Sequence, residues 1–533
     1  MRIRFIDEWG FVTGSENEVS TLAPELTPPQ ATSRVVMFLV ALTVSLHFAT
    51  NLLSPYGIHR DEFLYLAMGR HLDLFRMEFP PAIAILAKFS LTLLGDSIFA
   101  IRFLTAIAAG AIVYLSAKIA IHLGGSRTAQ ALAATAVVAS PLFLRAGNLF
   151  QPVVFDQLAW TVALYSLVRL VQTERPKWWI WFGVSAGLGL LTKFSAIFFG
   201  SAALLAVIVS PQRRWLLTRW PWIAMGIAIL LGSPSVIGQI VLGYPVLKQM
   251  QDLKESQLER VTPSIFIAGQ IELGPGFVLA LGGLIALLVI RPLRRFSIVG
   301  WTCLFVFFIL MILHGKDYYL GPVYPALFAA GACAIDLASK RGVRLAVQWT
   351  AGIMLVGFGL LTLPIGIPIL PPERMASYSL AIGATSALRN NQGELDRLPQ
   401  DYADMIGWPE QVAEVAKVFN SLPPQDKARA VIIATNYGEA GAIDYYGPKM
   451  GLPKVVSAAG TYWFFGPGDK PGDIAITIGV PEESLKRFFR ETTLVKTIGN
   501  PWSVGEERNV SIFIARNPIR TLQQVWPSLA GRN

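Results

Sequence analysis

Long apolar runs separated by short polar segments fill the first two thirds of the chain. A helix that crosses a bilayer needs about 20 predominantly apolar residues, and the pattern predicts about 11 such helices. The predicted spans cover 35–53, 98–121, 129–144, 153–171, both halves of 178–210, 220–240, 268–290, 297–313, 320–338 and 345–365. The chain is therefore predicted to be a polytopic α-helical membrane protein.

The apolar stretch 178–210 decides how the chain is threaded through the bilayer. One helix over its 33 residues would be too long and would bury Lys193, whereas two short helices would turn at that lysine. With two helices, every strongly basic loop falls on one side, which the positive-inside rule identifies as cytoplasmic. The basic residues that set this orientation are Arg127, Arg175, Lys177, Arg213, Arg214, Arg219, Arg291, Arg294, Arg295, Lys340, Arg341 and Arg344.

This threading divides the chain into three parts. Residues 1–34 are predicted to be a cytoplasmic segment, 35–365 a transmembrane domain with an outer loop at 54–97, and 366–533 an extracytoplasmic domain. The last part shows helical spacing of apolar residues and short runs typical of strands, so we predict a soluble α/β domain. Its predicted helices are 409–419 and 481–490, and its predicted strands are 430–434, 473–478, 493–498 and 511–515.

The composition supports a membrane protein and argues against a nucleic-acid partner. Hydrophobic residues make up 53% of the chain and charged residues 15%, whereas soluble domains carry about 25% charged residues. The net charge of +10 comes mostly from the loops that orient the chain, so it does not indicate nucleic-acid binding. Cys303 and Cys333 lie in apolar runs and are expected to be buried small hydrophobes.

The outer loop 54–97 is dense in ionisable and aromatic groups. Its run 62–68 is amphipathic and predicts a short helix lying along the membrane surface. Asp61 would stand at the N-terminus of this helix, where the helix dipole favours a carboxylate. Asp61 is therefore either a helix cap or a general base beside a second acid, Glu62.

Three further features on the predicted outer face carry charge. Asp156 starts a span, where an ionisable residue is costly and usually functional, although a helix cap is the alternative. Lys193 marks the break in 178–210 and either neutralises a phosphate at headgroup level or only snorkels. If the loop 54–97 folds over the start of the span, Asp61 and Asp156 share one pocket. The loop 314–322 adds His314, Lys316, Asp317 and Tyr319 on the same face.

Metal binding is left open by the sequence. The tail has no glycine-rich phosphate loop, because its nearest approach, 435–441, lacks the lysine of a P-loop. A divalent cation is a candidate cofactor, of unknown identity, because carboxylates and imidazoles occur in the outer loops. These groups are Asp61, Glu78, His59, His71 and His314, and no HExxH or comparable spacing joins them.

Short motifs in the outer segments form a recognisable set. In the first loop they are His59-Arg60-Asp61-Glu62, Gly69-Arg70-His71-Leu72, Pro80-Pro81 and Leu94-Gly95-Asp96-Ser97. Later they are Phe155-Asp156-Gln157-Leu158-Ala159-Trp160, Gly187-Leu188-Gly189-Leu190-Leu191-Thr192-Lys193 and Lys316-Asp317-Tyr318-Tyr319-Leu320-Gly321-Pro322. Together these motifs resemble the GT-C glycosyltransferases over about residues 35–365. The closest groups are the bacterial relatives of protein O-mannosyltransferases and the lipid A aminoarabinose transferase.

The resemblance implies an enzyme that moves a sugar, with inversion, from a polyprenyl-phosphate donor to an acceptor hydroxyl outside the cytoplasm. The expected location is the cell inner membrane, with the active site and the domain 366–533 on the periplasmic side. The sugar stays open, and the acceptor is a lipid, a polysaccharide or a protein. Because the lipid phosphate activates the sugar, no nucleotide is needed; the remaining partners are membrane lipids.

The motif match also implies roles for individual residues. Asp61 is the implied base, Glu62 its acidic partner and Asp156 the second-loop acid. The aminoarabinose transferases have an acid-lysine-proline stretch in the first loop, but here it reads Glu78-Phe79-Pro80, so other cations must meet the leaving phosphate. The residues implied near that phosphate are Lys193, Lys316, Tyr319 and Arg60, and those left open for acceptor or metal binding are Glu78, His59 and His314.

Two other functions compete with sugar transfer. A transporter or flippase of a lipid-linked sugar would place charged residues and broken helices near the bilayer midplane, often in two similar halves. Here the charged residues collect at one face, and the two halves do not match. A non-enzymatic envelope receptor or scaffold would use the tail for binding and would need neither the acidic pair at 61–62 nor Asp156.

Overall fold

The computed structural model describes residues 31–337 and 340–530. Most of the predicted cytoplasmic segment 1–34 and the last residues of the predicted outer domain lie outside the described residues. The first part of the chain is helical. Its helices are α1 (Arg34–Leu53), α2 (Arg60–Arg70), α3 (Ala82–Leu93), α4 (Ile98–Ile101), α5 (Phe103–Leu123), α6 (Arg127–Val138), α7 (Pro141–Asn148), α8 (Pro152–Thr173), α9 (Lys177–Thr192), α10 (Ala196–Val209), α11 (Trp220–Val241), α12 (Pro245–Ser256), α13 (Pro263–Ile271), α14 (Pro275–Val289), α15 (Arg291–Arg294), α16 (Ser297–Ile312), α17 (Tyr324–Asp336) and α18 (Arg341–Gly366).

The rest of the chain forms a small mixed domain. Its helices are α19 (Pro372–Ala381), α20 (Gln400–Ala403), α21 (Trp408–Ser421), α22 (Pro424–Arg429), α23 (Tyr437–Tyr446), α24 (Thr461–Phe464), α25 (Glu482–Leu485) and α26 (Leu522–Val525), and its strands are β1 (Ala430–Ala434), β2 (Val455–Ser457), β3 (Ile474–Ile478), β4 (Phe489–Ile498) and β5 (Val510–Pro518).

The apolar helices make this a multi-pass membrane protein. Each of the eleven predicted spans coincides with one helix, or with consecutive helices, among α1 to α18. Among the described residues, six helices are long and apolar enough to cross a bilayer by themselves, or up to nine if each bent pair counts as one span. The predicted fold, a polytopic helical protein with a C-terminal α/β domain, is therefore confirmed.

The bends in the helices follow from residues that stop a helix. The angle is 61° between α6 and α7, and 107° both between α10 and the short 3-10 helix that follows it and between α13 and α14. Pro141, Pro211 and Pro275 stand directly after these three breaks, and proline lacks the N–H that would continue the helix. The predicted break at Lys193 is also present, because the backbone there is extended between α9 and α10.

The five strands form one sheet in the order β2-β1-β3-β5-β4. The pairs β1–β2 and β1–β3 are parallel, whereas β3–β5 and β4–β5 are antiparallel. The sequence pattern missed the three-residue strand β2, and the predicted helix 481–490 was wrong beyond Leu485. Phe489 instead starts β4, because its side chain packs with Leu485 and Phe513 in a buried cluster on the sheet.

The loop 54–97, predicted to lie outside, is more structured than expected. The helix expected at 62–68 is α2, and the loop also contains α3, an apolar helix that the pattern did not predict. The helix α2 packs between α3 and α23 rather than lying open on the membrane surface. Phe63 and Leu66 of α2 share one hydrophobic core with Trp408, Ile432 and Ile476. The first loop and the C-terminal domain are therefore joined by a common core.

Candidate active site

The start of α2 orients the predicted acidic pair. His59 is the N-cap residue, and its Nδ1 accepts the backbone N–H of Asp61 at 3.0 Å. The Glu62 carboxylate in turn accepts the backbone N–H of His59 at 2.8 Å, which completes a capping box. Of the two alternatives for Asp61, the helix cap is excluded because His59 fills that role, and its role as general base stays a prediction.

The Asp61 carboxylate is held by two donors from distant parts of the chain. Its Oδ1 accepts the hydroxyl of Tyr437 at 2.9 Å, and its Oδ2 accepts the side-chain amide of Gln151 at 3.0 Å. Gln151 is the residue just before α8, so the first loop lies over the end of the helix that carries Asp156. The side chain of Asp61 is half-buried, so part of it remains accessible to solvent.

Glu62 is locked in a buried ion pair. Its two oxygens accept the Nε and Nη2 of Arg102, each at 2.7 Å, and Oε1 also accepts the N–H of Phe150 at 2.7 Å. Neither charged side chain is accessible to solvent. Burial acts to raise the pKa of Glu62, but Arg102 and the hydrogen bonds outweigh it and lower that pKa. Glu62 is thus a carboxylate whose oxygens are occupied by protein donors.

Arg60 and His59 connect the first loop to the C-terminal domain. Arg60 forms ion pairs with Asp404, at 3.4 Å, and with Glu506. The His59 Nε2 lies 3.8 Å from Asp401 and 3.7 Å from Asp404. The motif match implied that Arg60 lies near the donor phosphate and left His59 open for acceptor or metal binding. In the structure, both side chains point toward acidic residues of the C-terminal domain.

Asp156 and Lys193 are neighbours, because Asp156 lies in the first turns of α8 and Lys193 at the break between α9 and α10. The Asp156 carboxylate is buried and accepts the hydroxyl of Ser195 at 2.8 Å. The positive charge of Lys193 attracts this carboxylate electrostatically. The ammonium of Lys193 lies 4.2 Å from the centre of the Tyr319 ring and 5.8 Å from that of Tyr318. The break between α9 and α10 thus presents a cation between a carboxylate and two phenols.

Tyr65 links the two groups of residues. Burial raises the pKa of the Tyr65 hydroxyl well above its usual value, and the charge of Asp61 and the hydroxyls of Tyr437 and Tyr319 act in the same direction. Lys316, on the Tyr319 side, donates to the Asn391 amide oxygen at 2.9 Å. Burial lowers the pKa of Lys316, although the neighbouring Tyr319 and Asp401 oppose this. Tyr65 is therefore within electrostatic reach both of the acid Asp61 and of Tyr319, the ring beside the cation Lys193.

The remaining candidate metal ligands are separated from Asp61 and from each other. Glu78 accepts the hydroxyl of Thr461 at 2.6 Å, His71 stacks on Phe465 with ring centres 4.2 Å apart, and exposed His314 contacts the Val261 carbonyl at 2.8 Å. Within 31–337 and 340–530, no group of three or more His, Cys, Asp or Glu side chains is arranged to hold a metal ion. Metal binding stays a prediction.

Several residues at this site were not predicted from the sequence. Arg102 carried a usable signal, since it is an ionisable residue inside the predicted span 98–121. Tyr437 had none, because it lies 376 residues from the aspartate that it contacts. Gln151 precedes the predicted span 153–171 and carries no charge that would single it out. The acidic residues Asp401 and Asp404 lie in the tail, where no motif singled them out.

Comparison with known proteins supports the fold. Residues 78–237 match the family model of dolichyl-phosphate-mannose-protein mannosyltransferase. The structure of ArnT from Cupriavidus metallidurans in the apo state superposes with a TM-score of 0.61 at 16% identity, over 93% of this chain and 99% of that one. ArnT bound to undecaprenyl phosphate gives 0.59 at 15% identity over the same shares. No curated protein sequence matches the chain significantly. The predicted resemblance to GT-C glycosyltransferases is thus confirmed at the level of the fold.

Proposed function

We propose that this protein is a glycosyltransferase that moves a sugar from a polyprenyl-phosphate donor to an acceptor hydroxyl, with inversion. One observation carries the proposal: Tyr437 and Gln151 hold the Asp61 carboxylate, and Tyr65 is within electrostatic reach of both Asp61 and Tyr319, the ring beside the Lys193 ammonium. A base that deprotonates the acceptor hydroxyl and a cation that stabilises the leaving phosphate are the two groups that this chemistry needs.

The reaction is a single displacement. Asp61 takes the proton of the acceptor hydroxyl, whose oxygen then attacks the anomeric carbon from the side opposite the lipid phosphate. The bond between that carbon and the phosphate oxygen breaks, and the polyprenyl phosphate leaves with its electron pair. Lys193, together with Tyr319 and Lys316, neutralises the charge that develops on the leaving phosphate. Asp156 orients Lys193, and Glu62 orients the helix that carries the base.

The donor class is proposed from the position of the site and from the fold. A lipid donor keeps its isoprenoid chain in the bilayer, so its phosphate must be met at the headgroup level. Lys193 stands between two apolar helices, at their common end. The ArnT structure of similar fold was determined with undecaprenyl phosphate, which supports a polyprenyl phosphate as the carrier. We propose the periplasmic face of the inner membrane as the side on which transfer occurs.

Transport of the same lipid is the competing function. A transporter is expected to keep its charged residues near the bilayer midplane, in two related halves. Asp61 and Lys193 instead stand at helix ends next to outer loops. This arrangement supports transfer. A transporter would also not need a carboxylate that two hydrogen-bond donors, Tyr437 and Gln151, hold in one orientation.

Asp61→Asn tests the proposal directly. We expect it to lower the transfer rate about 100- to 10,000-fold, because the amide cannot take the acceptor proton, while membrane insertion and yield remain as in the wild type. The measurement is mass spectrometry of envelope lipids and glycans from cells that carry no chain, the wild type or the variant. Asp73→Asn, an exposed aspartate in the same loop, is the matched control and should behave as the wild type. Full activity of the Asp61 variant would remove Asp61 as the base.

A further inference from the structure

We infer that Tyr437, a residue of the C-terminal domain, is a positioning residue of the active site that holds the Asp61 carboxylate in its reactive orientation. This inference rests on the proposed function. The contact is direct, because the Tyr437 hydroxyl donates to Asp61 Oδ1 at 2.9 Å. The C-terminal domain would then complete the catalytic centre rather than serve only to bind an acceptor.

The position of Tyr437 is set by the start of its helix. The Asn436 side chain accepts the N–H groups of Gly438 and Glu439, and the Glu439 carboxylate reaches back to the N–H of Asn436. This capping box makes Tyr437 the first residue of α23. The Asn436 amide also donates to buried Glu507 at 2.9 Å, so the turn before Tyr437 is tied to the body of the domain.

Two glycines bring this helix against the helix of the base. A Cβ added at Gly438 would collide with the Arg60 side chain, and one at Gly441 with Phe63. Because neither glycine has a side chain, α23 lies directly on α2, and Tyr437 reaches the residue next to Arg60. The close contact is therefore built into the backbone of both helices.

The ring of Tyr437 is held as firmly as its hydroxyl. The Arg60 guanidinium lies 5.3 Å from the ring centre and is itself fixed by Asp404 and Glu506. Burial, with the charge of Asp61, raises the pKa of Tyr437 well above its usual value, so the hydroxyl stays protonated and remains a donor. The second donor to Asp61, Gln151, comes from the membrane domain. The base is thus clamped between the two domains.

Tyr437→Phe removes only the hydroxyl and keeps the ring beneath Arg60. We expect the transfer rate to fall about 10- to 100-fold, the range for a lost hydrogen bond to a charged group. A donor to a carboxylate favours its ionised form, so the acid side of the pH–rate profile should also move to higher pH. Binding of undecaprenyl phosphate, measured by native mass spectrometry of the purified full chain, should not change.

Tyr446→Phe is the matched control, because this tyrosine is on the same helix and also contacts Phe63. Within the described part of the chain its hydroxyl makes no hydrogen bond, and this variant should keep the wild-type rate and pH profile. The assay uses a whole envelope preparation from cells lacking the chain, which contains lipids, polysaccharides and proteins, as the source of donor and acceptor. Thermal unfolding in detergent should give the same midpoint for both variants.

A double variant separates positioning from a general structural effect. If Tyr437 acts through Asp61, then Asp61→Asn with Tyr437→Phe should retain the same residual rate as Asp61→Asn alone. A wild-type rate and pH profile in Tyr437→Phe, or a further loss in the double variant, overturns the inference while the proposed function stands. If the wild type forms no product and undecaprenyl phosphate still binds, the proposed transfer fails, and the inference with it.

Discussion

Glu62 and Arg102 form a two-contact ion pair in which both side chains are completely buried and both nitrogen–oxygen distances are 2.7 Å. This pair joins the first residues of α2 to the start of the helix that begins at Phe103. Glu62 directly follows Asp61 in the sequence. The two carboxylates at 61–62 therefore differ in environment: Asp61 is half-buried and partly accessible, whereas Glu62 is fully buried and holds the framework.

Glu62→Gln should destabilise the protein rather than only inactivate it. The neutral amide leaves Arg102 as a buried charge without a counter-ion, which typically costs about 3–5 kcal/mol. We expect a lower thermal midpoint and a smaller folded fraction in size-exclusion chromatography. Asp61→Asn, one residue away and half-buried, should keep the wild-type midpoint. Equal midpoints for Glu62→Gln and the wild type would show that the ion pair is not structural.

The buried carboxyl of Glu78 should make the free energy of unfolding depend on pH. Burial raises the pKa of its carboxyl, although the hydrogen bond from Thr461 opposes the shift. A raised pKa means that the protonated acid suits the folded state, so its stabilising effect is complete below about pH 4.5 and is lost as the pH rises through the folded pKa. Glu78→Gln, which cannot ionise, should therefore gain thermal midpoint relative to the wild type as the pH is raised from 5 to 8.

The control for this series is Glu410→Gln, which changes an exposed carboxylate at the start of α21. Its difference from the wild type should not vary between pH 5 and pH 8. A difference for Glu78→Gln that stays constant or falls with increasing pH contradicts the assignment.

Lys193→Met should weaken binding of the lipid phosphate. A charge-assisted hydrogen bond contributes about 1.5–3 kcal/mol, so we expect the affinity for undecaprenyl phosphate to fall about 10- to 100-fold in a native mass spectrometry titration. Lys193→Arg keeps the charge above the Tyr319 ring and should lose much less. Lys449→Met, on an exposed lysine paired with Asp96, is the matched control. Wild-type affinity in Lys193→Met would exclude this lysine from the phosphate site.

The orientation in the membrane can be tested by thiol labelling. Cys303 and Cys333 are both buried, so single exposed cysteines can be introduced against a low background. Glu259→Cys, in the predicted outer loop after α12, should react with a membrane-impermeant maleimide in cells whose outer membrane has been permeabilised. Arg294→Cys, in a predicted cytoplasmic loop, should react only after lysis. The reverse pattern would place the active site on the cytoplasmic side.

Much of the fold could be predicted from the sequence because the bilayer imposes a strong length and hydropathy requirement. The break at Lys193 followed from length and loop charge together. The helix α3 was missed because its 12 residues are too few for a span and lie in a loop rich in charge. The strand β2 was missed because three residues are too few to show a periodic pattern. The start of β4 at Phe489 was missed because the side chain's packing against the sheet outweighed the helical pattern of 481–490.

A residue of the candidate site was predictable only where it is unusual for the segment that carries it. Asp61, Asp156 and Lys193 stand out because ionisable groups beside apolar helices are unusual. The ion pair of Glu62 was hidden because its partner lies 40 residues away. The donor from Tyr437 was hidden because local pattern says nothing about which surface of a separate α/β domain will meet α2. Such contacts are properties of the docked domains, not of any single stretch of sequence.

The direct contact of Gly438 and Gly441 with α2 limits how this protein can be recombined. A chimera that exchanged the C-terminal domain alone would bring a foreign helix surface against Arg60 and Phe63, with side chains where this chain has none. An interchangeable unit would need to include α2 and its cap together with the segment from α20 to α23. The connection between α18 and α19 is therefore a poor single crossover point, and a working hybrid has to exchange both of these contacting segments together.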